Sequence, residues 1–122
     1  MKSSNDEILR FIASSFRSVW ALELLLVLKS ERRPWSHEDL DSTMRASEQV
    51  VTKALGELEA AGLVAIDGRN ARYAPVSAEV AALVEEADAL YARKPDAVRR
   101  AIVSAASRDA AAFANAFRLR KD

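Results

Sequence analysis

The sequence predicts a mainly α-helical domain with a small β-hairpin. Three observations carry that prediction. Apolar residues recur at helical spacing in several stretches, and a serine stands just before most of them. One short segment, Leu63 to Asp67, instead alternates in the manner of a half-buried strand, and turn residues follow it. Pro34, Gly62 and Pro95 interrupt the periodic stretches where helices have to end.

The chain has 122 residues, half of them apolar, which suits one domain with a modest core. Its 18 basic and 18 acidic residues cancel, so net charge gives no argument for nucleic acid. There is no cysteine, which excludes thiol chemistry and is compatible with a reducing cytoplasm. The N-terminus, MKSSNDEILRF, is too polar and acidic for a secretory signal. The longest apolar run, Val19 to Leu28, is interrupted by Glu23. As a helix it measures about 15 Å, roughly half a hydrocarbon core, so it reads as a buried helix and no membrane partner is expected.

Ser4 and Glu7 have capping-box spacing. Ile8, Phe11, Ile12 and Phe16 then share one face, giving a first helix over about Asn5 to Ser15. Ser18 caps a second helix to about Ser30, apolar nearly all round and therefore packed on several sides. Trp35, between Pro34 and Ser36, fits a very short strand. Ser36 caps a short helix to about Met44, with acids in its first turn and Leu40 and Met44 inward. Arg45-Ala46 is a turn, and Ser47 caps the next helix. In that helix Val51, Ala54, Leu55 and Leu58 form the inward stripe, and Gly62 stops it. Asp67-Gly68-Arg69-Asn70 supplies a turn, and Arg72 to Val76 the returning strand. Ser77 caps a long helix, striped by Val80, Leu83, Val84, Ala87, Leu90 and Tyr91, that ends at Pro95. Asp96 to about Ala106 is helical again. Ser107-Arg108-Asp109 reads as a break and recap, and a last helix carries Phe113 and Phe117 before the basic tail Arg118-Leu119-Arg120-Lys121.

Helix, short strand, short helix, turn, longer helix and hairpin is the order of a winged helix-turn-helix. Val51, Leu55, Leu58, Gly62, Leu63 and Val64 follow a V-x-x-x-L-x-x-L-x-x-x-G-L-V pattern. That stretch resembles the recognition helix and wing of MarR-like bacterial transcriptional regulators, over about Ser18 to Val76. The resemblance implies three parts: a helical arm over 1–17, a winged helix-turn-helix domain over 18–76, and C-terminal helices over 77–122 that pair two chains. It implies a cytoplasmic regulator that binds double-stranded DNA as a homodimer, with the recognition helix in the major groove. By position, Ser47, Gln49, Thr52 and Lys53, together with Glu48, then face bases or phosphates. Arg45 in the turn and Arg69, Asn70 and Arg72 on the wing supply further contacts.

Charge by region opposes this. From Trp35 to Ile66, Arg45 and Lys53 stand against Glu38, Asp39, Asp41, Glu48, Glu57 and Glu59, a net of minus four. Segments 1–34 and 99–122 carry plus two and plus four. Phosphate neutralisation supplies much of a DNA binder's affinity, so DNA binding requires a dimer. The alternative is a winged helix with an acidic face that docks a protein partner. Lys53 and Glu57 have the spacing of a helix ion pair, which would partly neutralise Lys53. Trp20, Trp35, Phe113 and Phe117 read as core. Glu23 reads as emerging at the surface or pairing with Arg17 or a C-terminal arginine. His37 reads as exposed or capping. With one histidine and no cysteine, no metal site, cofactor or nucleophile–base pair is expected, and an enzyme is not.

Overall fold

The computed structural model describes residues 3–119, and the side chains of residues 3–115. These residues form a mainly helical molecule with a small antiparallel sheet. The order is α1 (Asn5–Ser15), α2 (Val19–Ser30), β1 (Trp35–Ser36), α3 (His37–Met44), α4 (Glu48–Ala60), β2 (Val64–Asp67), β3 (Asn70–Tyr73), α5 (Ala78–Arg93) and α6 (Pro95–Leu119).

Five helices start on a serine whose side-chain oxygen accepts a backbone N–H of the first turn: Ser4, Ser18, Ser36, Ser47 and Ser77. Each satisfies a donor that the helix itself leaves orphaned, worth about 1 kcal/mol against alanine. The first two helices meet at a bend of 100°. α2 runs through the middle of the molecule and packs on α4, β3 and α6. Its Ala21, Leu22, Leu24, Leu25 and Leu28 are all buried, each leucine contributing roughly 1.5–3 kcal/mol of transfer free energy. One hydrophobic cluster joins Ile8, Ile12 and Phe16 of the N-terminal segment to Leu40, Leu55, Leu58 and Leu63, and to Val84, Leu90, Val98 and Ile102. Among the described residues no single helix is long and apolar enough to cross a membrane.

The sheet has the order β1-β3-β2, so the late strand β3 is central. Trp35 pairs with Ala71, and Val64 with Tyr73. The returning strand begins two residues earlier than the sequence suggested. Asp67 pairs directly with Asn70, leaving a two-residue turn, because Gly68 takes φ +62°. A positive φ at the first turn position alone suits a type II′ hairpin. The strand ends at Tyr73 because Pro75 has no N–H to donate. The Ala74 and Val76 N–H groups still donate to the Leu63 and Gly62 carbonyls.

Further expectations need correction. No break interrupts the C-terminal helix: α6 is continuous through Ser107, Arg108 and Asp109. Serine and aspartate leave helices only where a competing cap is better, and without glycine or proline the exposed turn simply continues. Pro95 occupies the first position of α6, where its missing N–H costs nothing. Phe113 is exposed, not core. The side chains of Phe117, Arg118 and Leu119, and Arg120 and Lys121 altogether, lie outside the described residues. Trp35 is buried as expected, with its indole N–H donating to the Glu31 carbonyl at 3.0 Å. The guanidinium of Arg33, two residues earlier, lies on it, 3.9 Å from the ring centroid. Trp20 is only half-buried. Glu23 does emerge, and the Tyr91 hydroxyl donates to it at 2.9 Å. His37 is half-buried, its Nε2 enclosed without a hydrogen-bond partner among the described residues.

Candidate nucleic-acid interface

The candidate interface is built on two helix ends closed by the same device. At the end of α3, the Arg45 N–H donates to the Ser42 carbonyl and the Ala46 N–H to Asp41. At the end of α4, the Gly62 N–H donates to Glu59 and the Leu63 N–H to Leu58. Both are Schellman closures, which need a left-handed residue. Gly62 supplies it at φ +77° and Arg45 at φ 55°. Arginine there carries a steric cost that glycine escapes. The left-handed residue lets α3 turn into α4 across three residues, Arg45, Ala46 and Ser47, and leaves the Arg45 side chain exposed.

Val51, Ala54, Leu55 and Leu58 anchor α4 by its buried face. At about 100° per residue, the ridge opposite that face runs through Gln49, Lys53, Gly56 and Ala60, with Thr52 beside it. All five are exposed. The ridge carries no carboxylate. Glu48 and Glu59 are exposed on one flank, about 100° from their ridge neighbours. Glu57, four residues after Lys53, lies about 40° from it on the other side and is half-buried. No ion pair within 4 Å joins Lys53 to Glu57 or to any other described residue.

Gly56 adds a second peculiarity. A Cβ built on it would meet nothing within 4 Å, so packing within the chain does not require glycine there. Mid-helix glycine nevertheless costs about 0.5–1 kcal/mol against alanine. The ridge is therefore low.

On the hairpin, Arg69, Asn70 and Arg72 are exposed. Ala71 and Tyr73 alternate inward to the core, which puts Asn70 and Arg72 on the outer face. The turn is tied to α3 by the His37 N–H, which donates to the Arg69 carbonyl at 3.0 Å. Arg69 lies 4.0 Å from Glu38, and Arg33 3.8 Å from Asp39. Two of the six acidic residues of the head thus face a cation supplied from outside it. Arg45, Ser47, Gln49, Thr52, Lys53, Arg69, Asn70 and Arg72 are all at the surface, in two groups: Arg45 to Lys53 along the α3–α4 turn and α4, and Arg69 to Arg72 on the hairpin.

Sequence spacing missed two neighbours of this surface. Arg17 and Trp20, with Ser18, line a notch of about 240 Å³ against Val50, Lys53, Ala54 and Glu57. They come from the α1–α2 junction, far from α4 in sequence, and no local pattern could have linked them to it. Among the described residues no group of three or more histidine, cysteine or acidic side chains is placed to hold a metal ion.

No protein-family model, curated protein or solved structure matches the chain.

Proposed function

We propose that the chain is a winged-helix transcriptional regulator of the MarR-like kind. In this reading α4 enters the major groove of double-stranded DNA, and the β2–β3 hairpin, as the wing, lies against the backbone or minor groove. The observation that carries it is the outward ridge of α4, which presents Gln49 and Lys53, a lysine in no ion pair with a described residue, on a low surface flanked by Glu48, Glu57 and Glu59. A three-residue turn before the helix and a two-residue hairpin after it complete the arrangement that such domains use. Gln49 suits an adenine edge, Lys53 guanine or phosphate, and Arg45, Arg69 and Arg72 suit phosphates. So few cations per chain make a weak monomer, so the functional unit is a homodimer holding two heads about 34 Å apart.

Removing Lys53 and Arg72 tests the reading. The double alanine variant should weaken DNA binding and flatten its dependence on log salt by about one unit of slope per lost phosphate contact. An unchanged slope counts against both residues.

The net charge of minus four over Trp35 to Ile66 favours a second reading, in which the head docks a basic protein surface. Lysine at positions 48 and 57 separates the two. Glu48→Lys with Glu57→Lys should tighten non-specific DNA binding in the first reading and break a protein complex in the second.

A further inference from the structure

Of the large apolar side chains of α4, Val51, Leu55 and Leu58 are buried and Val50 is 45% exposed. Val50 is the third residue after Ser47, whose hydroxyl accepts the Val50 N–H at 3.3 Å. The corresponding residues of α1 and α3 are Glu7 and Asp39, since a carboxylate there suits the helix dipole and can close a capping box. α5 also has a valine in that place, Val80, but its side chain packs against the core. Neither cap nor core therefore accounts for Val50. It lies three residues before Lys53 and about 60° round the helix from it. With Trp20 and Ala54 it lines the apolar part of the notch of about 240 Å³, which Arg17 and Lys53 also border. Glu57 borders the notch too, but seven residues on from Val50, about 10 Å further along the helix axis. The first turn of α4 thus offers an apolar step beside two cations, with the carboxylate two turns away.

We infer that Val50 selects thymine by packing on its C5-methyl group in the major groove. The inference rests on the reading of α4 as a recognition helix and adds a base preference to it. The methyl is the apolar group that distinguishes a thymine edge there, so an aliphatic contact separates thymine from the other three bases. Gln49, which suits adenine, stands on the same turn, so the two residues together favour A·T pairs under the start of α4. A basic protein surface meets Arg17 and Lys53 with repulsion at this place, whereas the phosphates of DNA attract both. The apolar step is therefore better matched to a base edge than to such a partner.

The test measures binding of the full chain, by fluorescence anisotropy at one salt concentration, to the duplex upstream of its own gene. The duplex is made twice, once with thymidine and once with deoxyuridine in its place, which removes the methyl groups alone. One buried methyl contact is worth about fourfold in affinity, and two heads in a homodimer about fifteenfold. The native chain should bind the uracil duplex more weakly by that factor. Val50→Ala should bind the two duplexes within about twofold of each other. Any effect of uracil on the duplex itself is common to both proteins and cancels in the comparison. Lys53→Ala should weaken both duplexes alike and leave their ratio as in the native chain. Val50 and Lys53 are exposed, so both variants are expected to fold, and their thermal unfolding midpoints check that. The inference fails, with the DNA reading left standing, if the native chain binds both duplexes equally, if Val50→Ala keeps the native preference, or if Lys53→Ala abolishes it. If the native chain binds neither duplex, the DNA reading fails and this inference with it.

Discussion

Arg45 and Gly56 each hold a residue type that the fold alone would not choose. Arg45 occupies a left-handed position that favours glycine, and Gly56 occupies an open helix position that favours alanine. Exchanging each for the better fit separates fold from function. Arg45→Gly should raise the unfolding free energy by about 0.5–1 kcal/mol while weakening DNA binding, because a candidate phosphate contact is lost. If binding stays unchanged, Arg45 has no part in the interface. Gly56→Ala should likewise stabilise by about 0.5–1 kcal/mol in urea unfolding. No gain would point to a constraint on the helix that its open surroundings do not contain. The opposition between the shape of this helix and its charge also belongs to this scale. Glu48 stands about 100° from Gln49 on one flank, whereas Glu57 stands about 40° from Lys53 and is half-covered in the Trp20 notch.

Among elements, local chemistry decided what could be read in the sequence. Serine caps, the stripes of α1 to α5 and the stop at Gly62 were legible because each depends on neighbours three or four positions away. The α4 stripe, and hence which residues of the candidate surface face outward, was legible for the same reason. The strand boundaries and the continuity of α6 were not. A hairpin register depends on turn geometry, and Gly68 allowed a tighter turn than four polar residues implied. Ser107 and Asp109 are capping types, but no rival structure uses them, so they stay inside the helix. The Arg17–Trp20–Lys53 notch was invisible because the α1–α2 junction and α4 meet only through the fold. Gly62 is the most exacting closure. Its φ of +77° and the 3.1 Å approach of a built Cβ to the Val76 side chain mean that Gly62→Ala should destabilise by more than about 1 kcal/mol. Chemical denaturation measures this, and a neutral result would contradict the closure described for α4.

At the scale of the molecule, one apolar core holds helices from both ends of the chain. A polar clasp on its surface joins α2 to α5. Lys29 Nζ lies 2.8 Å from Glu85 and 3.0 Å from Asp88. Its hydrogen bond to Glu85 raises the lysine pKa above the usual 10.5, more than burial lowers it. Burial of the Tyr73 phenol raises its pKa above the usual 10.0. Both groups are held in their protonated forms by the fold, so their contribution is complete below those ordinary values and is lost as pH rises through the raised ones. Stability should therefore fall in the alkaline range above about pH 10, and less steeply in Lys29→Met, as followed by urea unfolding at a series of pH values. An equal fall in both proteins would remove Lys29 from that account.

The proposal that the α4 ridge meets DNA is tested most directly by a gel-shift of the purified chain on the duplex upstream of its own gene, at two salt concentrations. The account predicts a retarded complex containing two chains, competed poorly by unrelated DNA and weakened by the higher salt. No retardation at either salt, or retention that unrelated DNA competes equally well, would contradict it.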